Sequence, residues 1–270
     1  MLLDQRQLEM AEWIMREGRA TVSDLAEHFA VSSETVRRDL NVICTGGKIK
    51  KVHGGAVAVR GTLVRDGDYT VRREKHVRQK REIGRRAARL LCDNDVIAMD
   101  SGTCTEAMAR EIYGVHNLCV ITASLPLASV LAQKLGAGDF DGRVIFLGGT
   151  VSPEGQNTCG VQTVAELKKY SIDKAFLGAT AVSAKGVMVW NENDGHFTSA
   201  LIEQAQRSYI LAESQKLGGR SFYLAAPLSG VALLLTDDLQ PMGAEMREAV
   251  KAAGLEVELV SLQRGVDDGV

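Results

Sequence analysis

Two groups of residues in this 270-residue chain have the types and spacing to do chemistry. The first is basic: Arg37 and Arg38 stand side by side, and Lys48, Lys50 and Lys51 follow Gly46-Gly47 and precede His53. Guanidinium forks read base edges and lysines neutralise phosphates, so this set points to double-stranded DNA as partner. The second is a series of small polar loops, each following an apolar run: Asp100-Ser101-Gly102-Thr103-Cys104-Thr105, Thr122-Ala123-Ser124, Gly148-Gly149-Thr150 and Gly178-Ala179-Thr180. The first loop opens a helix. Hydroxyls and first-turn amides at Ser101, Gly102, Thr103 and Thr105 are therefore expected to hold an anion at the positive end of the helix dipole. Loops of this composition often serve turns alone, but four in succession predict a pocket. Asp100, Thr122, Ser124, Gly148, Gly149, Gly178 and Lys216 are its further expected lining.

The basic set needs a scaffold, and the preceding residues supply one. From Asp4 to Glu17, Leu8, Ala11, Ile14 and Met15 recur at helical spacing, and Gly18 stands where a terminating glycine belongs. Thr21-x-x-Asp24 has capping-box spacing ahead of a short helix carrying Val22, Leu25, Ala26 and Phe29. After a tight turn, Ser32 is placed to cap a third helix. Val36, Leu40 and Ile43 lie along one side of it; Glu34, Arg37, Arg38 and Asn41 project from the other. Ser32, Ser33, Thr35, Arg37 and Arg38 then belong to a recognition helix. Residues 48–57, alternating basic and apolar around glycines, read as a β-hairpin wing whose Lys48, Lys50, Lys51 and His53 face the phosphates. The order helix, capped short helix, turn, arginine-bearing helix and basic hairpin predicts a winged helix-turn-helix over 1–58.

Residues 59–75 read as linker, and 72–91 as a basic helix leading into a second domain over 76–265. In that domain seven apolar runs (96–99, 118–122, 144–147, 175–177, 209–212, 231–236 and 256–260) alternate with amphipathic helical segments, among them 106–112, 127–135, 162–170, 199–207 and 244–253. Strands that are apolar throughout and separated by helices predict a mainly parallel α/β sheet covered on both faces, with ligand bound at the strands' carboxyl ends.

Bulk properties agree. Hydrophobic residues are 45% and charged residues 24% of the chain, ordinary for a soluble globular protein. The net charge of −2 hides an asymmetry: residues 31–60 hold six bases against two acids, whereas 94–270 carry thirteen bases against twenty-one acids. No apolar run approaches the ~20 residues of a membrane helix and the N-terminus offers no signal-peptide core, so a cytoplasmic protein is expected. Five scattered cysteines without a C-x-x-C read as free thiols, not as a disulfide framework or zinc site; neither metal nor cofactor is expected.

The stretches Ala20-Thr21-Val22-Ser23-Asp24-Leu25-Ala26, Val31-Ser32-Ser33-Glu34-Thr35-Val36-Arg37-Arg38-Asp39-Leu40 and His53-Gly54-Gly55-Ala56 resemble the DeoR (GlpR-type) family of bacterial transcription regulators. Asp100-Ser101-Gly102-Thr103, Thr122-Ala123-Ser124, Leu147-Gly148-Gly149, Ala175-Phe176-Leu177-Gly178-Ala179 and Ser214-Gln215-Lys216-Leu217-Gly218 look like that family's sensor-domain landmarks in order. The resemblance runs from Arg6 to about Val260. It implies a repressor, less often an activator, with a C-terminal domain of the ribose-5-phosphate isomerase and CoA transferase fold. It also implies a phosphorylated sugar or related effector, and dimers or tetramers on repeated operator half-sites. The chain departs from the family pattern at Asn193–Ser199, where Thr198 stands in place of a lysine, and at Glu213 in place of an aspartate.

The main rival is a sugar-phosphate isomerase fused to a DNA-binding domain, with Asp100, Asp173, Glu213 and Lys216 as acid-base candidates. Isomerisation needs a positioned base of tuned pKa, and no local carboxylate pair of that kind stands out. His196 reads as a surface residue. A bare architectural DNA binder has no use for four glycine-rich loops. The sequence thus predicts a ligand-responsive DNA-binding regulator without catalysis.

Overall fold

Capping decides where the N-terminal helices begin. The computed structural model describes residues 3–44, 49–52, 54–58, 63–64 and 67–262, and the chain divides into two compact units, Met1–Leu63 and Val64–Val270. In the first, α1 (Leu3–Glu17) stops at Gly18, whose φ of 84° lets its N–H reach back to the Ile14 carbonyl. After β1 (Arg19–Thr21), the Thr21 hydroxyl accepts from the Asp24 N–H while the Asp24 carboxylate accepts from the Thr21 N–H, the capping box that starts α2 (Val22–His28). Ser32 accepts from the Thr35 N–H and starts α3 (Ser33–Ile43). The wing strands β2 (Ile49–Val52) and β3 (Gly55–Ala58) pair antiparallel, and β1 joins β3 on its other side. That third strand was not foreseen. It explains Gly55, because a Cβ there would stand 2.1 Å from the Ala20 carbonyl oxygen. Met10, Ile14, Leu25, Val36, Leu40, Ile49 and Ala56 close the core; on α1 the stripe centres on Met10 and Ile14, with Leu8 only partly buried.

In the second unit the expected helix over 72–91 is broken in two, α4 (Tyr69–Glu74) and α5 (Val77–Ala88). The chain turns at Lys75-His76, with His76 left-handed at φ 53°. The carbonyls of Arg72, which also closes the last turn by accepting from the Lys75 N–H, and of Lys75 accept from the ammonium of Lys80. Residues 69–74, assigned to the linker from sequence, are thus helical, and Tyr69 is buried with its hydroxyl on Glu106 at 2.6 Å. Then follow β4 (Val96–Met99), α6 (Thr103–Glu111), β5 (Leu118–Thr122), α7 (Leu125–Ala137), β6 (Gly142–Phe146), β7 (Thr150–Ser152), β8 (Asn157–Cys159), α8 (Val161–Leu167), β9 (Ile172–Leu177), β10 (Ala181–Ser183), β11 (Gly186–Val189), α9 (Glu192–Gln204), β12 (Ala205–Leu211), β13 (Tyr223–Ala226), β14 (Leu233–Asp237), α10 (Ala244–Ala253) and β15 (Glu256–Val260).

All seven expected strands form one sheet, ordered β15-β14-β12-β9-β4-β5-β6 and parallel at every pairing. Successive side chains alternate between its faces. Ile97 and Met99 of β4 pack with α5, α6 and α7, whereas Ala98 packs with α8 and α9. The sequence missed the β7–β8 hairpin and a second, antiparallel sheet, β10-β11-β13. It also began α9 seven residues late, at Ser199 instead of Glu192. Gly195 lies inside α9, where a Cβ would meet the Tyr223 ring at 2.2 Å, so the glycine lets the helix pack closely on β13.

Candidate functional site

In the N-terminal unit, the face of α3 opposite its buried stripe is open. Ser33, Glu34, Arg37, Arg38 and Asn41 are exposed, as are Lys50 and Lys51 on β2. Ser32 and Thr35 are spent on each other: their hydroxyls lie 2.9 Å apart and the Ser32 oxygen caps the helix. Lys51 donates to the Asn41 side chain at 2.8 Å, tying wing to helix, so Lys50 is the freer cation for phosphate. Lys48 and His53 lie outside the described residues. Sequence periodicity did not single out Asp39, which is buried on the recognition helix and accepts from Arg6 and Gln7 of α1, each at 2.8 Å. It fixes the angle at which α3 leaves the three-helix core.

In the second unit, strand carboxyl ends and residues of α4, α6 and α9 line an open recess. The Asp100–Cys104 loop forms its base, where the amides of Thr103 and Cys104 have no acceptor inside α6. Gly178, Ala179 and Thr180 follow from β9, Arg72 comes from α4, Gly155 from the β7–β8 turn, Asp194 from α9 and Lys216 from the 3-10 turn after β12. Gly102 and Gly178 allow the two loops to touch backbone to backbone, since a Cβ at Gly102 would meet Gly178 Cα at 3.3 Å.

The electrostatics of this recess are uneven. Asp100 is buried, accepts from the Ser101 N–H at 2.7 Å and from the Thr198 hydroxyl at 3.0 Å, and has no cation against it. Burial, reinforced by the nearby Asp194 carboxylate, pushes its pKa up to about 7 despite those two donors. Glu213, also buried, goes the other way: burial acts to raise it, but Lys216 at 3.3 Å and Lys80 at 3.7 Å outweigh that and hold it at about 2. Lys216 also donates to the Ala179 carbonyl at 2.6 Å. The neighbouring Cys104 thiol is driven upward by burial and by Glu213, so it stays protonated. Among the described residues no group of three or more His, Cys, Asp or Glu is placed to hold a metal ion.

Two family models match, the DeoR-like helix-turn-helix domain over residues 6–62 and the DeoR C-terminal sensor domain over residues 75–238. The chain belongs to the DeoR family. Similar family members include the HTH-type transcriptional repressor GlcR of Bacillus subtilis, 31% identical over 88% of this chain and 90% of that protein. The HTH-type transcriptional regulator GlpR of Haloferax volcanii is 29% identical over 95% and 98%, and the lactose phosphotransferase system repressor of Streptococcus mutans 29% over 87% and 92%. Among solved structures, ribose 5-phosphate isomerase A of Methanocaldococcus jannaschii aligns with a TM-score of 0.36 at 18% identity, over 51% of this chain and 53% of that one. At that level the likeness carries no argument about chemistry.

Within this DeoR-family sensor unit the recess gathers Asp100, Ser101, Gly102, Thr103, Gly178 and Lys216 of the expected lining. It leaves out five. Thr105 is fully buried, and its hydroxyl closes the loop by bonding the Gly102 N–H and the carbonyls of Asp100 and Gly102. That also occupies the Gly102 amide. Thr122 donates to the Met99 carbonyl, and Ser124 caps α7. The Gly148 carbonyl accepts from Thr163, and Gly149, at φ 148°, leaves room for the Thr163 hydroxyl. These loops seat the β7–β8 hairpin, since Thr158 N–H donates to the Ala123 carbonyl and Leu125 N–H to the Gln156 carbonyl. The sequence missed Arg72, Gly155 and Asp194, which come from elements other than the strand ends it inspected, whereas Thr180 stands in the inspected Gly178-Ala179-Thr180 loop. Asp173 lies at the start of β9, where it accepts from the Val96 N–H and from Gln206.

Proposed function

We propose that this chain is a transcriptional repressor of a carbohydrate-utilisation operon, released from double-stranded operator DNA when a phosphorylated sugar or related metabolite enters the sensor recess. The observation that carries the effector half is the convergence of Arg72, Lys216 and the Ser101–Cys104 loop on one recess at the start of a nine-residue helix. Amides, hydroxyls and two cations suit a phosphate. The DNA half rests on Arg37 and Arg38 on the open face of α3, with Lys50 on the wing. The names of the relatives favour repression and sugar metabolism. The protein works in the cytoplasm as a homo-oligomer, dimer or tetramer, matched to repeated half-sites.

The test is operator affinity titrated with sugar phosphates, sugar acids and polyols, beside a thermal-shift screen of the same compounds. Linkage requires that an effector weakening operator binding by some factor is itself bound more weakly by that factor when operator is present. Ser101→Asp, which sets a carboxylate in the anion site, abolishes the response. Gly102→Asp is the poorer probe, because a Cβ at Gly102 already meets the Thr105 hydroxyl at 3.1 Å. An effector response that survives both Ser101→Asp and Arg72→Ala would place the anion elsewhere.

A catalytic reading has one observation in its favour, the pKa of about 7 at Asp100. Of the other three candidates, Asp173 and Glu213 are engaged in backbone and ion-pair contacts, and Lys216 is held by Glu213 and the Ala179 carbonyl; the nearby Asp194 carboxylate is the second acid-base group in the recess. Turnover of ribose 5-phosphate by the full chain at ~1 per second or above would carry the catalytic reading.

A further inference from the structure

Asn157, at the start of β8, is only 3% exposed. Its amino group donates to the Ser101 hydroxyl oxygen at 3.0 Å and to the Asp194 carboxylate at 3.1 Å, which uses both amide hydrogens. Ionised Asp194 only accepts, so the amide cannot be turned over without setting two oxygens face to face. Its carbonyl oxygen is then buried without a hydrogen-bond partner among the described residues. Buried acceptors are nearly always satisfied in folded proteins. Both partners of the amide, Ser101 and Asp194, line the recess, and so does Gly155. A Cβ at Gly155 would stand 2.6 Å from this same oxygen, and its three nearest neighbours would all be atoms of the Asn157 side chain. Gly155 has no left-handed backbone to account for it, so what the missing side chain provides is space beside the carbonyl.

We infer that the Asn157 carbonyl accepts a hydroxyl of the effector, making Asn157 a specificity-determining residue that selects a polyhydroxylated phosphate ester over one carrying a second anionic group. A hydroxyl supplies the donor the carbonyl lacks. A carboxylate supplies none, and would meet the carboxyl groups of Asp194 and Asp100 in the same recess. The inference rests on the proposed anion site at Ser101–Thr103.

The experiment is calorimetric titration of the full chain with three probes: inorganic phosphate, glucitol 6-phosphate and 6-phosphogluconate. The last two share chain length and phosphate, and differ at the far end in a hydroxymethyl or a carboxylate group. Glucitol 6-phosphate binds at least about tenfold tighter than 6-phosphogluconate, a difference of about 1.4 kcal/mol. Gly155→Ala brings that ratio close to one while phosphate affinity changes by less than about twofold; Asn157→Leu also brings the ratio close to one, and because it removes the donor to Ser101 it is read from the ratio alone. Gly155→Ala retains the Asn157 side chain, which must shift to make room for the new methyl, and needs no left-handed backbone, so it decides the matter should Asn157→Leu fail to fold. Equal or tighter binding of 6-phosphogluconate, or a ratio that Gly155→Ala leaves intact, overturns the inference. If phosphate binds and glucitol 6-phosphate gains nothing over it, the inference fails while the anion site stands. If phosphate itself does not bind, the anion site fails first.

Discussion

The recognition face of α3 and the sensor recess present charge in opposite ways. Arg37 and Arg38 stand in solvent on a helix whose other side is core, with Arg38 making one loose pair to Glu34 at 3.5 Å. Such surface pairs add little to stability, so these side chains can be spent on DNA without disturbing the fold beneath them. Asp100 in the recess wall, and Glu213 and Lys80 in the ion-pair cluster that holds the lining Lys216, are buried, and each is tied into the packing of the unit. There, removing a functional charge also removes a structural partner. Substitutions on α3 should therefore move DNA affinity alone, whereas those around the recess should move stability, pH dependence and ligand binding together.

The sharpest way to break that contrast is Glu213→Ala. It strips the shared carboxylate from Lys80 and Lys216, leaving two buried cations uncompensated, and should cost the sensor unit about 3–5 kcal/mol. Because Lys80 also gathers the carbonyls of Arg72 and Lys75, the α4–α5 turn loosens with it. Urea unfolding of the full chain, followed as separate transitions for the two units, measures this. A loss below about 1 kcal/mol, the size of a surface pair, would place the cluster in the same class as Arg38–Glu34.

Next in size is the pH dependence that Asp100 imposes. Its folded pKa of about 7 lies above the ordinary 3.8, so the native state holds a proton there that the unfolded chain has released. Its contribution is fully present below about pH 4 and is lost as the pH rises through 7, amounting to about 4 kcal/mol as an upper bound. Asp100→Asn removes the titration yet keeps an oxygen for the Ser101 N–H, and the Thr198 hydroxyl can turn to accept from the new amide. The variant should gain stability relative to the wild type between pH 4 and 8. Parallel stability curves for the two proteins would show that Asp100 is not perturbed.

On α3, Arg37→Ala should weaken operator binding by about 1–3 kcal/mol and relax specificity, with the unfolding midpoint unchanged. Equal loss on operator and random DNA would make Arg37 a phosphate contact and not a base reader.

The same contrast explains what could be read from the sequence. Exposure on a helix follows a period of 3.6, so the open face of α3, the caps at Thr21 and Ser32 and the stop at Gly18 were all legible locally. The seven parallel strands were legible because each carries a run of apolar, β-prone residues, although the edge strand β15, EVELV, alternates with glutamates. The recess was only half legible. The proposed anion loop at Ser101–Thr103 and Lys216 were both expected, but Arg72, Gly155 and Asp194 reach the recess from three separate elements, and no spacing links them. Strands of three or four residues, such as Thr150–Ser152 and Ala181–Ser183, carry too few positions for a pattern. Thr105 shows the converse error: a residue type suited to binding an anion was consumed in shaping the loop. Thr198 of α9 places a neutral hydroxyl on Asp100, which lowers its pKa less than burial raises it.

The smallest expected effect separates the two wing lysines. Lys50 is exposed on β2, whereas the ammonium of Lys51 already donates to Asn41 of α3. A lysine held by a neutral amide keeps its charge but loses freedom to follow a phosphate. Counterion release counts phosphates neutralised, so Lys50→Ala should lower the slope of log affinity against log salt by about one, equally on operator and random DNA. Lys51→Ala should lower it by less while also affecting specificity, because it unties the wing from the helix that carries Arg37. Binding isotherms at four salt concentrations on both DNAs separate these outcomes. Identical slopes and identical specificity for the two variants would mean that the Lys51–Asn41 bond has no part in positioning the recognition helix.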